Sequence, residues 1–364
     1  MSHTDDRLAA IRARIDEIDD QLLELFSERA RCAEEIARIK RAQEGDPVFY
    51  RPEREAQILR RIRERNPGPL SDAEVTRLIR EVMSACLAHE QPLTVAYLGP
   101  EGTFTEAAAY KHFGHSIRTR KLDAIDEVFR EVEAGSAHYG VVPVENSTEG
   151  VVNHTLDMFM RSPLKICGEV ELRIALHLLG RVGSLQEVRR VYAHAQALAQ
   201  SREWLDANLP HAERVPVSSN GEAARRAAEE AGTAAIASET AAEHYGLARI
   251  ARDIEDEPGN TTRFLVIGNQ EAGPSGVDKT SLLVSVRNRP GALYGLLSPF
   301  ARHGISMTRI ESRPSRRGVW DYVFFIDIEG HVSEAPVAAA LAELDEQASL
   351  LRVLGSYPRC SGAS

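Results

Sequence analysis

Two cations stand where a helix ought to be apolar. In the opening segment Ile11, Ile15, Ile18, Leu22, Leu25, Cys32, Ile36 and Ile39 recur at alternating spacings of four and three, the seam of a long amphipathic helix. The same ladder asks for an apolar residue at position 29, and the sequence supplies Arg29. Lys40 follows eleven residues later, about 20° around the helix from Arg29, so both address one strip of space. A second helical face carries Arg51, Glu55, Ile58 and Ile62 with Arg54 beside it, and a third carries Ile79, Met83, Cys86 and Glu90. Solvated or salt-bridged charges are the ordinary reading of any one such residue. Repetition on three helices favours a bound anion, because unpaired buried charge is costly unless a ligand neutralises it. The surplus of cations points to a dicarboxylate held by forked arginine contacts.

Further along, the strand Thr94-Val95-Ala96-Tyr97-Leu98 runs through Gly99-Pro100-Glu101-Gly102-Thr103-Phe104-Thr105 into the helical Glu106-Ala107-Ala108-Ala109-Tyr110. A strand, a glycine turn and a helix start offer backbone amides to an anion, although such turns are common in α/β proteins. The stretch Tyr139 to Gly150 is more specific: an apolar strand enters a loop with Glu145, Asn146, Ser147, Thr148 and Glu149 in succession, a density of polar groups that suggests a site. Cys32, Cys86, Cys167 and Cys360 show no CxxC pairing, so neither a zinc site nor a disulfide framework is expected, and no metal or cofactor is called for. A net charge of -10 argues against nucleic-acid binding. No apolar run approaches the roughly 20 residues of a membrane span, and the polar, acidic start lacks a secretion signal, so a cytoplasmic protein without a membrane partner is expected.

These residues must be positioned by three units. Residues 1–91 read as helices, 93–269 as alternating short strands and Ala-rich helices, and 279–358 as a compact strand and helix unit. The first helix, from about Asp6 to Ala42, is roughly 55 Å long and needs a helical partner, a second copy of the chain being the natural one. The second starts at Pro52 and ends at Asn66-Pro67-Gly68-Pro69; the third is announced by Ser71 and Glu74, a capping box. In the last unit a strand over 281–286, a helix over 292–303, strands near 305–312 and 320–328 and a final helix and strand give a βαββαβ order.

The string Ile11-Arg12, Glu28-Arg29, Ile39-Lys40 and Tyr50-Arg51-Pro52-Glu53-Arg54-Glu55 resembles an all-helical chorismate mutase over the whole first unit. The resemblance implies a three-helix, intertwined homodimer in which Arg29, the partner's Arg12, Arg51 and Arg54 bind chorismate. Of these, the carboxylates are assigned to Arg29 and the partner's Arg12, with Arg51 and Arg54 as further chorismate-binding residues; Lys40 and a protonated Glu90 then face the ether oxygen, Glu55 holds the ring hydroxyl, and Cys86 stands where relatives often carry serine. Gly99 to Phe104, Pro143 to Gly150 and Asn260-Thr261-Thr262-Arg263-Phe264 resemble prephenate dehydratases. That implies a bilobal α/β fold whose chain crosses between lobes near Glu169 and returns near Asp253. Thr262 becomes the acid, Arg263 a carboxylate anchor, and Glu101, Thr103, Glu145, Asn146, Ser147, Gln196, Gln200 and Phe264 cleft residues for prephenate. The family's Ser-His-Pro-Gln segment reads Ala193-His194-Ala195-Gln196 here. Asn288, Pro290, Gly291, Ala292 and Leu293, with Glu311, Ser312 and Arg313, resemble the phenylalanine-binding motifs of ferredoxin-like ACT domains. The implied protein makes prephenate and then phenylpyruvate under control by L-phenylalanine. An arogenate-preferring dehydratase and a non-catalytic amino-acid sensor are the alternatives.

Overall fold

The computed structural model describes residues 3–43, 48–287, 289–314 and 322–360. Three helices come first: α1 (His3–Gln43), α2 (Pro52–Arg65) and α3 (Asp72–Glu90). Pro52 is the first residue of α2, where its missing N–H costs nothing. Ser71 and Glu74 make the reciprocal cap of α3, Glu74 N donating to Ser71 Oγ at 3.2 Å and Ser71 N to Glu74 Oε2 at 3.1 Å.

Helix α1 packs along α3 through small residues, Ala33 and Ala37 being its buried positions. The apolar ladder is not buried: Ile11, Ile15, Ile18, Leu22, Leu25, Ile36 and Ile39 are 40–59% exposed in the single chain. At 100° per residue Ala33, Ala37 and Lys40 lie roughly 20–80° to one side of Arg29, and Cys32, Ile36 and Ile39 to the other. Arg29 therefore sits at the border between the face used within the chain and a face left for a partner.

The second unit has two lobes. In the first, β2 (Arg118–Leu122), β1 (Thr94–Leu98), β3 (Tyr139–Asn146), β11 (Thr261–Gly268) and β5 (Lys165–Arg173) lie side by side in that order, with β4 (Gly150–Val151) added to β3. Helices α4 (Phe104–Phe113), α5 (Ile125–Glu133) and α6 (Asn153–Phe159) cover it. The second lobe orders β10 (Ala248–Ala251), β6 (His177–Gly180), β9 (Thr233–Ala237), β7 (Arg190–His194) and β8 (Glu213–Val217), with α7 (Ala195–Gln200), α8 (Arg202–Asn208), α9 (Asn220–Glu229) and α10 (Glu239–Tyr245). The chain crosses between lobes after Arg173, not at Glu169, which lies within β5 opposite Leu265; it returns between β10 and β11, past Asp253.

The third unit is β12 (Asp278–Ser285), α11 (Ala292–Arg302), β13 (Met307–Pro314), β14 (Tyr322–Glu329), α12 (Ala335–Gln347) and β15 (Leu350–Pro358), an antiparallel sheet in the order β13-β14-β12-β15. Strand alternation splits its apolar residues between two cores. Leu282, Val284 and Ile326 pack under the helices with Leu296, Phe300 and Leu344. Leu283, Phe325, Leu354 and Tyr357 instead join Ile166, Phe159 and Val144 of the first lobe in one continuous core. The sheets approach so closely that a Cβ at Gly355 of β15 would lie 2.1 Å from the Ile166 carbonyl oxygen on β5.

The helical unit is docked by Tyr50, which is buried among Phe113 and Tyr139 and whose hydroxyl lies 3.0 Å from His112 Nε2. Burial pushes the His112 pKa down to about 3, so the ring stays neutral as a partner for the phenol. Among the described residues no helix is long and apolar enough to cross a membrane, and no cluster of His, Cys, Asp and Glu is arranged to hold a metal ion.

Gly355→Ala must push β15 off β5, and an expected loss of at least about 2 kcal/mol follows from overpacking against backbone. Chemical denaturation of the full chain measures it; an unchanged midpoint would mean the two sheets separate at no cost.

Candidate active sites

Helix α1 supplies the first site. Arg29 is half-buried and its Nη1 donates to the Val82 carbonyl of α3 at 3.5 Å. Lys40 donates to the Val48 carbonyl at 3.1 Å and lies 5.4 Å from the Phe49 ring centre. Glu90, at the end of α3, faces the same strip: burial raises its pKa above the ordinary 4.5, against the opposing pull of Lys40, Arg29 and Arg41. Cys86 is buried one turn before it. Arg41, which the periodicity did not single out, donates to the Glu90 carbonyl and shares the Phe49 ring.

The remaining mutase-type residues are not gathered there by one chain. Arg12 is exposed on α1, roughly 25 Å along the helix from Arg29. Arg51 and Arg54 are exposed on the outer side of α2. Glu55 instead accepts from Arg80 Nε at 3.2 Å, and burial raises its pKa despite that partner. Arg80 carried no sequence signal, since it sits one residue past the apolar face of α3.

The second site lies where β3 ends and β11 begins. Asn146 Nδ2 donates to Thr262 Oγ1 and to Asn260 Oδ1, both at 2.8 Å. Its Oδ1 accepts from Thr148 N, Thr148 Oγ1 and Glu149 N at 3.0, 2.7 and 3.1 Å. Three donors on one end of the amide fix its orientation, so Thr262 must accept from Asn146, and its own hydroxyl hydrogen stays available for a ligand. Ser147 Oγ donates to Asn260 Oδ1 at 3.3 Å and completes the cluster. Asn260, nearly fully buried, joins the cluster although only its place in the Asn260–Phe264 motif marks it in the sequence.

The lobes meet at the glycine turn. Ser238 Oγ donates to the Gly102 carbonyl at 2.8 Å, and a Cβ at Gly221 would sit 2.4 Å from the Glu101 carbonyl oxygen. Phe104 packs on the cores of both lobes. Thr103 caps α4, accepting from Glu106 N at 3.4 Å, while the Glu101 carboxylate turns to Lys121 at 2.7 Å, which holds its pKa down. Gln196 and Gln200 stand on α7 in the second lobe and make no side-chain hydrogen bond to the Thr262 cluster among the described residues. Ala193, in place of the motif's serine, is fully buried in that lobe's apolar core, and His194 caps α7.

Three expected cleft residues point elsewhere. A bulge in β3 sets Arg263 opposite Glu145 but Phe264 opposite Pro143, so Val144 and Glu145 share one face and Asn146 takes the other. Glu145 accordingly accepts from Arg309 of β13 at 2.9 Å. Arg263, on the same face, reaches Glu169 at 2.8 Å, Asp327 of β14 at 2.7 Å and the Tyr357 hydroxyl at 3.1 Å. Burial opposes its charge, but Tyr357, Asp327 and Glu169 outweigh that and raise its pKa. Asp327 shifts the other way: burial is overcome by Arg263 and Ser281 and its pKa is lowered. Lys279 donates to both Glu169 oxygens at 2.9 and 2.8 Å. Arg263 is thus spent on the third unit rather than on a substrate carboxylate, and Phe264 lies in the core with Tyr50.

The third unit's motifs separate in one chain. Gly291, with φ of 79° at the start of α11, and Ala292 line a cavity of about 310 Å³ with Arg287, Arg289, Gln347 and Ser349. Pro290 is exposed and Leu293 is 45% exposed. Asn288 lies outside the described residues. Glu311 and Ser312 are on the edge strand β13, and Arg313 turns to α6, donating to Asn153 and, at 2.5 Å, to Asp157.

A cationic strip in one unit, a hydroxyl-and-amide cluster in a second and a ferredoxin-like third unit are the architecture of a two-centre enzyme with an appended domain. Family models match the same succession: chorismate mutase type II over 11–91, prephenate dehydratase over 95–272 and the ACT domain over 280–346. The chain is 58% identical over 358 residues to the bifunctional chorismate mutase/prephenate dehydratase of Stutzerimonas stutzeri, covering 97% of this chain and 98% of that one. Among solved structures, prephenate dehydratase from Arthrobacter aurescens in complex with L-Phe is similar at 37% identity and a TM-score of 0.67, over 73% of this chain and 90% of that one. GqqA, described as a novel type of quorum quenching acylase, is similar at 32% identity and 0.68, over 74% and 98%. The chain belongs to the bifunctional chorismate mutase/prephenate dehydratase family.

Proposed function

We propose that this chain converts chorismate to prephenate in its helical unit and prephenate to phenylpyruvate in the lobed unit, within L-phenylalanine biosynthesis in the cytoplasm. The observation that carries the second step is the Thr262 hydroxyl accepting from Asn146 at 2.8 Å. A hydroxyl that accepts one hydrogen bond is a better donor of its own proton. Thr262 supplies that proton to the departing ring hydroxyl; the C–O bond breaks to give water, the C–carboxylate bond breaks to give carbon dioxide, and the released pair completes the aromatic ring. The first step needs no base or nucleophile, only a held conformer and fixed charge at the ether oxygen. Arg29, Lys40 and Glu90 provide these from one chain, and Arg12 comes from the second copy that covers the exposed seam of α1. The acylase reading has no counterpart for the helical unit.

Purified protein given chorismate is expected to yield phenylpyruvate, and Thr262→Ala to stop at prephenate with an unchanged mutase rate; a dehydratase within about tenfold of the parent would remove Thr262 from the acid role.

Glu90 must be protonated to donate to the ether oxygen. Because its pKa is raised, the mutase is expected to be fully active below that pKa and to decline as pH rises through it. Glu90→Gln, a permanent donor, should flatten the profile, and an identical decline in the variant sinks the assignment.

The shared site predicts complementation. Arg12→Ala and Arg29→Ala chains, each inactive as a mutase, should regain about a quarter of parental activity when refolded together, the fraction expected of one intact site in half of the dimers. No recovery would argue for sites built from a single chain.

A further inference from the structure

The residue pair that faces the dehydratase cleft is the reverse side of a pair gripped by the ACT sheet. Thr262 and Asn146 are cross-strand partners on β11 and β3, and so are their neighbours Arg263 and Glu145. The first pair faces the cleft; the second faces away from it. On the ACT sheet Arg309 and Asp327 are themselves cross-strand partners on β13 and β14. Each charge meets its opposite across the interface, Arg263 with Asp327 at 2.7 Å and Glu145 with Arg309 at 2.9 Å.

We infer that this quartet positions Thr262 and Asn146 and is the route by which the ACT domain controls them. Arg263 and Glu145 are positioning residues: a shift of either pair displaces its strand, and the strand carries the cleft hydroxyl or amide with it. Two features let the quartet have a second arrangement. Arg309 Nη2 is buried without a hydrogen-bond partner, so its guanidinium has unused capacity. A cavity of about 380 Å³ beside it, lined by Glu145, Glu169, Arg263, Lys279, Arg309 and Arg359, gives room to re-pair. Strand β13 runs from Arg309 directly into Glu311, Ser312 and Arg313, and Arg313 holds α6 of the first lobe through Asn153 and Asp157. Displacement of β13 by a bound effector therefore pulls on the first lobe at two points.

This inference rests on the dehydratase reading above and names the residues through which the third unit acts on that cleft. The test uses the full chain with Arg309→Met and Arg309→Lys, Arg309 being outside the cleft. Dehydratase kcat and KM for prephenate are measured with and without L-phenylalanine, phenylalanine binding is measured by calorimetry, and the mutase rate is followed alongside. In Arg309→Met the concentration of phenylalanine for half-inhibition is expected to rise at least about tenfold while its Kd moves less than about threefold, the signature of lost coupling rather than lost binding. Without effector kcat should fall severalfold at unchanged KM, since positioning rather than substrate contact is lost. Arg309→Lys, which keeps the charge but not the fork, should restore part of both. Inhibition of Arg309→Met at parental concentrations overturns the inference, as does an effect confined to KM. Should Arg309→Met lose phenylalanine binding through misfolding, Arg309→Lys decides on the same criteria. A parent enzyme that turns prephenate over but neither binds nor responds to phenylalanine rejects the control route and leaves the dehydratase reading standing; one with no dehydratase activity rejects that reading first.

Discussion

Buried charge is the constraint around which the second and third units are assembled. Glu169, Arg263, Lys279 and Asp327 are nearly dry and are joined across the two units: Glu169 pairs with Arg263 of its own unit and also with Lys279 from the ACT sheet, and Arg263 in turn pairs with Asp327 of that sheet. Breaking such a network by removing one partner typically costs about 3–5 kcal/mol, because the other charge stays buried. The surrounding apolar core, shared by Ile166, Leu283, Phe325 and Tyr357, keeps water out and so keeps that cost high. The ACT unit is consequently no tethered accessory. It is half of the folded interface on which the cleft strands lie, and any ligand that moves it acts on those strands.

The helical unit obeys the opposite logic. Ala33 and Ala37 let α3 approach α1 closely, while the large apolar residues of α1 remain outside. A single chain thus offers Arg29, Lys40 and Glu90 but leaves Arg12 far along the helix and several isoleucines and leucines in water. Burying that many aliphatic side chains at about 25 cal/mol per Å² is a strong drive to association. A copy covering this seam would lie against the face that borders Arg29.

The order of elements was legible because it rests on local chemistry: Pro52 and the Ser71–Glu74 cap start helices where they should, and the βαββαβ order follows from alternation and turns. The direction of side chains was less so. Strict alternation along β3 places Asn146 with Val142 and Val144, and only the bulge, which the apolar pattern does not reveal, sends Glu145 to the ACT sheet and Asn146 to the cleft. The resemblance implies substrate contacts for Arg263 and Glu145, and nothing in their residue types marks which face of the strand each takes. In α1 the four-three ladder located Arg29 and Lys40 correctly along the helix. It could not tell the face packed within the chain from the face awaiting another, since both are apolar or small. Arg80 and Arg41 escaped notice because each pairs with a residue distant in sequence, Glu55 and Glu90.

Three consecutive residues of β11 show how tightly the parts are joined. Thr262 belongs to the cleft cluster, Arg263 to the ACT interface, and Phe264 to the core in which Tyr50 of the helical unit is buried. Tyr50 directly precedes Arg51 and the start of α2, and its carbonyl accepts from Gln270 Nε2 at 3.3 Å, in the segment leading to the ACT unit. That segment is held in turn by His331 Nε2, 3.0 Å from the Ala272 carbonyl oxygen. A strand cannot translate one of three successive side chains without translating the others, so β11 joins the Thr262 cluster, the ACT interface and the core around Tyr50. The choice of Thr, Arg and Phe in that order then has a single physical meaning: a hydroxyl for chemistry, a fork for the interface and a ring for the core, each on the face the pleat assigns it.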